Sequence, residues 1–356
     1  MNLVYTKMKI FHYRDKLYSL PKKINMIKAP IHIRIKPTNS CNHNCCYCAY
    51  RTDNLQLGKD MKNEDAIPKE KMFSIIEDMH EIGVKAVTFT GGGDPFCYPH
   101  LLQAIKKISQ TKIKFSALTN GSRLKGEIAE LFAFNGTWLR VSMDGWDNES
   151  YKYYRNVSDG EFTKITRNMA NFKKLKGSCV LSVNIIVDKY NANHLYSLIK
   201  KLKEVGVDSV KVSPCILHND CIENNKYHEP FFNIVKQHIE KAIYNLKDDY
   251  FEIYDAYHEL DNKFRKDYDW CPYQQILPVI GADLNIYSCQ DKAYNTETGV
   301  IGSIKTESFK QMWFSDKQQF FKIIPKSHCN HHCVANAKNK LIMEYLNTDT
   351  EHIEFV

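Results

Sequence analysis

The 356-residue chain has no apolar run approaching the length of a membrane span, and lysine or arginine interrupts every apolar stretch near its beginning. Membrane partners and the h-region of a secretory signal are thereby excluded, and a cytoplasmic location is expected. There is also no block of like charge. The net charge of +8 comes from scattered lysines, such as Lys106-Lys107 and Lys173-Lys174. That pattern describes a solvated face with at most a mild preference for an anionic substrate, and it makes a nucleic-acid partner unlikely on composition. Internal repeats and low-complexity tracts are absent, and 43% apolar with 25% charged residues excludes a disordered or fibrous chain.

What the chain does have is cysteine. Twelve thiols in a reducing compartment are poor disulfide candidates and better metal ligands, and seven fall into spaced groups. In the run Cys41-Asn42-His43-Asn44-Cys45-Cys46-Tyr47-Cys48, three residues and then two separate Cys41, Cys45 and Cys48, directly after a β-rich stretch at 31–35. Three thiolates at that spacing can hold three irons of a cubane and leave the fourth open to a small molecule. The competing reading is a zinc knuckle, but zinc wants four ligands in a closed array, and Cys46 and His43 are awkward immediate neighbours of the other three. The second group is Cys271, Cys289, Cys329 and Cys333. Four thiolates there would close fully around one further cubane or, alternatively, a structural zinc, and His331 or His332 could replace a cysteine unless they are exposed loop residues.

From 31 to about 216, β-branched runs alternate with amphipathic stretches, the pattern of parallel strands joined by crossover helices. Six strands are expected, at 31–36, 86–90, 114–118, 137–143, 180–187 and 209–213, with helices near 69–80, 99–109, 126–134, 161–174 and 193–204. The fold class is therefore α/β, a partial (β/α)6 TIM-like barrel with a small C-terminal hairpin-plus-helix domain, and the loops after the strands should face one cavity. The expected divisions are an N-terminal extension at 1–30, the core at 31–221, a helical linker at 222–265, a cluster-binding domain at 266–340 and a tail at 341–356. Within the cluster-binding domain, strands at 276–280 and 285–288 form a hairpin and a helix lies near 308–321.

The cysteine run, with Tyr47 just before its last thiol, resembles the CxxxCxxC signature of the radical S-adenosylmethionine enzymes. The resemblance implies a [4Fe-4S] cluster whose free iron is chelated by S-adenosylmethionine, cleaved to a 5′-deoxyadenosyl radical. Gly91-Gly92-Gly93-Asp94 resembles the family's GGE motif, which holds the methionine amino group, with Asp94 in place of glutamate. The segment Ser142-Met143-Asp144-Gly145 with Arg155 downstream resembles its S-x-D-G segment, which implies Ser142 on the ribose or carboxylate and Arg155 paired with the carboxylate. Asn120, on the third-strand loop, would touch methionine or substrate. The later cysteines resemble the twitch domain, the shortened relative of the SPASM domain, as found in 2-deoxy-scyllo-inosamine dehydrogenase, which implies a second [4Fe-4S] cluster.

These likenesses imply an oxidoreductase of the dehydrogenase type: a substrate C–H bond gives up hydrogen, the second cluster accepts an electron, and a flavodoxin or ferredoxin supplies reducing equivalents. The expected substrate is a small polar metabolite of the sugar or aminocyclitol type. Maturation or epimerisation of a peptide or protein side chain is the alternative, although residues 1–30 are too short for a leader-binding domain. In an epimerase Cys215, after the sixth strand, would return a hydrogen atom, whereas Cys97 and Cys179 read as small buried apolar residues. From a different class, the chain would be a non-catalytic iron-sulfur carrier.

Overall fold

The computed structural model describes residues 5–259 and 263–355. Six strands, β1 (His32–Ile35), β2 (Ala86–Phe89), β3 (Lys114–Thr119), β4 (Trp138–Met143), β5 (Val180–Val187) and β6 (Ser209–Pro214), lie side by side in chain order and parallel. Crossover helices include Lys69–Ile82, Leu101–Ser109, Gly126–Asn135, Glu161–Lys174 and Leu195–Val205. Their apolar stripes, such as Met72, Ile75, Ile76 and Met79, share one core with one phase of the strands: Ile33, Val87, Phe115, Leu139, Val183 and Val210.

The other phase is polar. The register sets Arg34 beside Thr88, Thr88 beside Ser116, Arg140 beside Ser182 and Asn184 beside Lys211. These groups bond to one another across the strands: His32 Nε2 to Thr88 Oγ1 at 2.8 Å, Thr88 to Ser116 at 2.7 Å, and the Ser213 hydroxyl donating to Asn184 at 2.9 Å. An interior wall of this kind binds polar groups, whereas a packed barrel core would carry branched apolar side chains.

The sheet is wider than the sequence suggests. β7 (Glu252–Asp255) joins β6 in parallel, Lys211 facing Tyr254. It lies in the stretch expected as a helical linker, which also holds the helix Phe232–Leu246; with only Ile253 of its four residues buried, the strand has too little alternation to stand out. Tyr254 stacks on Tyr5 at 4.6 Å, and the Tyr5 hydroxyl accepts from Arg140 at 3.2 Å, so the N-terminal segment covers the N-terminal end of the barrel. Ile10, Leu17 and Leu20 of that segment pack with Ile276 and Ile342. Residues 341–347, expected as tail, continue the helix Asn336–Asn347.

The expected hairpin is present as β8 (Val279–Ile280) and β9 (Asn285–Tyr287), and β10 (Val300–Ser303) adds a further antiparallel strand. β8 also pairs in parallel with β1, Arg34 facing Val279, so the hairpin extends the main sheet to ten strands. The helix expected at 308–321 starts at the capping box of Ser308 and Gln311, runs Phe309–Ser315, and breaks at Asp316 before a 3-10 turn, Lys317–Phe321.

Two outcomes follow from this packing. Phe132 stands 5.4 Å from both Phe96 and Phe115, so Phe132→Ala should cost about 3–5 kcal/mol in denaturant unfolding. Burial, then Arg34, Lys338 and Lys9, lowers the His32 imidazole to about 3. The unfolded ring takes up a proton near pH 6.5 while the folded one does not, so stability should drop as pH falls from about 6.5 toward 3. His32→Gln should flatten that slope in urea titrations between about pH 7.5 and 5.5, and an unchanged slope would exclude the mechanism.

Candidate functional site

The cysteine run leaves the end of β1 as a loop held from several sides. The helix Asn148–Arg155, capped by Asp147, delivers Arg155 beneath it. Arg155 is buried; its Nε donates to Asp144 Oδ1 at 3.0 Å, its Nη2 lies 2.9 Å from Asp144 Oδ2 and donates to Ser142 at 3.2 Å, and its Nη1 donates to Cys45 Sγ at 3.4 Å. The backbone adds Asn44 N to Arg155 O and Cys46 N to Tyr154 O, both 3.0 Å. Arg155, expected to pair with a methionine carboxylate, and Ser142, expected on the ribose or carboxylate, are here bonded to each other, with Asp144 as the partner of the guanidinium. Asp144 serves as its counter-ion, fully buried.

His43 N donates to Cys41 Sγ at 3.4 Å, and Asn120 Nδ2 lies 4.0 Å from the same sulfur while donating to Asn42 Oδ1 at 2.9 Å. Burial pushes the Cys41 thiol up to about 12 and also raises Cys45, the latter opposed by Arg155. Metal uptake at these thiols therefore displaces protons. The Tyr47 ring faces Tyr154 at 5.9 Å, and its buried hydroxyl has no partner among the described residues. Three thiols on one loop, two of them receiving N–H donors, and an orphaned hydroxyl beside the third fit a thiolate-held iron-sulfur cluster with one open iron.

The glycine triplet packs against the segment that leads into the cysteine loop. A Cβ on Gly93 would stand 2.0 Å from Ser40 O, and one on Gly92 would stand 2.4 Å from Asn39 Oδ1. What these glycines admit is the cysteine loop itself, with Gly91 between them and β2. Asp94 is likewise turned inward: its carboxylate accepts from Thr119 at 2.9 and 3.0 Å, from Asn120 N at 2.6 Å and from Phe96 N at 2.8 Å. It locks the β2 and β3 loops together, and both its oxygens are engaged there rather than offered to an amino group.

Sequence reasoning passed over Lys36. This fully buried side chain donates to Tyr50 Oη at 2.5 Å, Gly91 O at 3.1 Å and Gln290 Oε1 at 3.2 Å, and burial holds its ammonium well below the usual range. It joins the cysteine loop, the glycine loop and the loop after β9. The signal was present: the period of two that buries Ile33 and Ile35 puts His32, Arg34 and Lys36 on the opposite face.

Cys271, Cys289, Cys329 and Cys333 line one enclosed cavity, with Lys266, Lys292, Asn339 and His331. Asn339 Nδ2 donates to Cys271 Sγ at 3.2 Å. Burial pushes the Cys271 thiol up to about 11 and those of Cys289 and Cys329 up to about 12. His331 is buried, not an exposed loop residue. Among the described residues no three Cys, His, Asp or Glu side chains converge as for a single metal ion. Cys46 is exposed, Cys97 is half-buried with its thiol donating to Asn42 Oδ1 at 3.4 Å, and Cys179 and Cys215 are buried.

Comparison with known proteins agrees with this arrangement. The S-adenosylmethionine-dependent nucleotide dehydratase of Psychrobacter lutiphocae is 23% identical over 235 residues, 63% of this chain and 77% of that protein. This chain spans about half the length of several curated relatives it matches. Among solved structures, Streptococcus suis SuiB bound to precursor peptide SuiA superimposes with a TM-score of 0.64 at 15% identity, covering 92% of this chain and 73% of that one. The AdoMet-bound anSMEcpe gives 0.60 at 18% identity, covering 89% and 96%. At these identities the superpositions speak for the fold. No helix among the described residues is long and apolar enough to cross a membrane. The Radical SAM superfamily pattern matches residues 35–201, the stretch that runs from the last residue of β1 through β5 and holds the three-thiol loop and Arg155, and this chain therefore carries a Radical SAM superfamily domain.

Proposed function

We propose that the chain is an enzyme that binds a [4Fe-4S] cluster through Cys41, Cys45 and Cys48, cleaves S-adenosylmethionine there, and abstracts hydrogen from a small polar substrate held in the barrel. When bound, the cluster supplies the electron that starts the cleavage. The observation that carries this reading is the thiol loop clamped by Arg155 and Lys36 above a polar-lined interior. Arg155 fixes the loop and feeds a donor to Cys45, Asn120 stands beside Cys41, and the Tyr47 hydroxyl is free to receive a cofactor group.

The four cysteines of the second cavity would hold a further [4Fe-4S] cluster of the twitch or SPASM type, next to Lys266 and Lys292. A dehydrogenase outcome, with this cluster taking the second electron, is supported by the cysteine-lined cavity belonging to the segment whose strand β8 pairs with β1. Oxidation of a sugar or aminocyclitol remains one member of that class; the nucleotide dehydratase relative and the peptide-bound SuiB make nucleotides and peptides the others to assay. A second reading, epimerisation, is favoured by Cys215: buried in the loop after β6, it is held as the protonated thiol that hydrogen donation requires. If the reading is right, Cys215→Ala should end deuterium incorporation from solvent while leaving S-adenosylmethionine cleavage intact.

Anaerobically reconstituted protein given dithionite and S-adenosylmethionine should release 5′-deoxyadenosine, and Cys41→Ala, Cys45→Ala or Cys48→Ala should abolish it. Iron content should be about eight per chain and fall to about four in a Cys271→Ala/Cys289→Ala variant; no 5′-deoxyadenosine from wild type would leave a cluster carrier. Gly93→Ala, which forces Ser40 and the loop behind it to move, should lower iron loading of the first site although every cysteine is kept.

A further inference from the structure

The interior face of the barrel carries more positive charge than its own carboxylates balance. Arg34 on β1, Arg140 on β4 and Lys211 on β6 all belong to the polar strand phase. The buried Nε of Arg34 has no hydrogen-bond partner among the described residues. Arg140 uses Nε on Ser182 at 3.2 Å and Nη2 on Tyr5 at 3.2 Å, both neutral oxygens, so its charge is unmatched by either. Lys211 stands among Arg140, Lys263 and Arg34, with Glu259 the one carboxylate acting in its favour.

That carboxylate is already shared, 3.8 Å from Lys263 and 3.8 Å from Lys7. Asp291, the acid facing Arg34, is half-buried and accepts Val334 N at 2.9 Å. Burial above all, then the neighbouring cations, lowers the Lys211 ammonium to about 7. Uncompensated buried charge is costly enough that a fold keeps it only where something pairs with it.

We propose that Arg34, Arg140 and Lys211 form a receptor for a phosphate group on the substrate, which makes the substrate an anionic, phosphate-bearing small molecule. This deepens the function proposed above and rests on its placement of substrate in the barrel. Four cations, Arg34, Arg140, Lys211 and Lys263, face two carboxylates, Glu259 and Asp291; that surplus of positive charge matches a phosphate dianion better than a single carboxylate, and the planar guanidinium of Arg34 can donate to two of its oxygens at once.

The test is calorimetric titration of the anaerobically reconstituted full chain with inorganic phosphate at low ionic strength, with acetate as the parallel arm. Phosphate should bind at one site, acetate at least about tenfold more weakly, and Arg34→Gln and Lys211→Met should each weaken phosphate by about tenfold or more. Iron content and near-UV circular dichroism identify a variant that has failed to fold, in which case the other variant decides. Absence of phosphate binding, equal binding in wild type and variants, or equal affinity for acetate would overturn the assignment. Release of 5′-deoxyadenosine by the wild type is measured separately: its absence would remove the enzyme reading, whereas failure of phosphate binding in a chain that does release it would remove only the substrate class.

Discussion

A charge that cannot reach water organises this site. Arg155 is buried and would be intolerable without Asp144, and breaking a buried pair by removing one partner typically costs about 3–5 kcal/mol. Because its remaining donors reach Ser142 and Cys45, the electrostatic demand of one guanidinium fixes the end of β4, the C-terminus of the helix Asn148–Arg155 and the thiol loop relative to one another. Lys36 does the same on the other side, tying that loop to Gly91 and Gln290. Held by two buried basic side chains, the cysteines depend little on the intrinsic stiffness of their loop.

The barrel supports this by dividing each strand between two solvents. Outward residues such as Ile33, Leu139 and Val183 merge with the helices into one core, while inward ones such as Arg34, Arg140 and Lys211 face a polar interior. One stretch of sequence thereby provides both the hydrophobic free energy of folding and the wall of a binding chamber.

Much of this was legible beforehand. β1 to β6 and the thiol spacing could be read because β-branched alternation and cysteine counting are local signals. β7 and β10 escaped because each buries only one of its four residues, Ile253 and Ile301. The partners of the motif residues were not foreseeable. Asp94 and Arg155 spend their charges on Thr119, Asn120 and Asp144, and the glycines make room for Ser40, since pairings between loops distant in sequence leave no periodic trace. Lys36 was visible in phase but had no motif to draw attention to it.

The pairing of β8 with β1 has a consequence for biogenesis. Until residues 279–280 emerge from the ribosome, the strand that launches the thiol loop has a bare edge on one side, open to mispairing. Lys36 lacks Gln290 over the same interval. Assembly of the scaffold around the thiol loop therefore waits for the β8 segment and Gln290, and a nascent or truncated chain presents the cysteines on an unfinished scaffold. The late closure of that seam keeps the loop unlocked until the far end of the polypeptide has arrived.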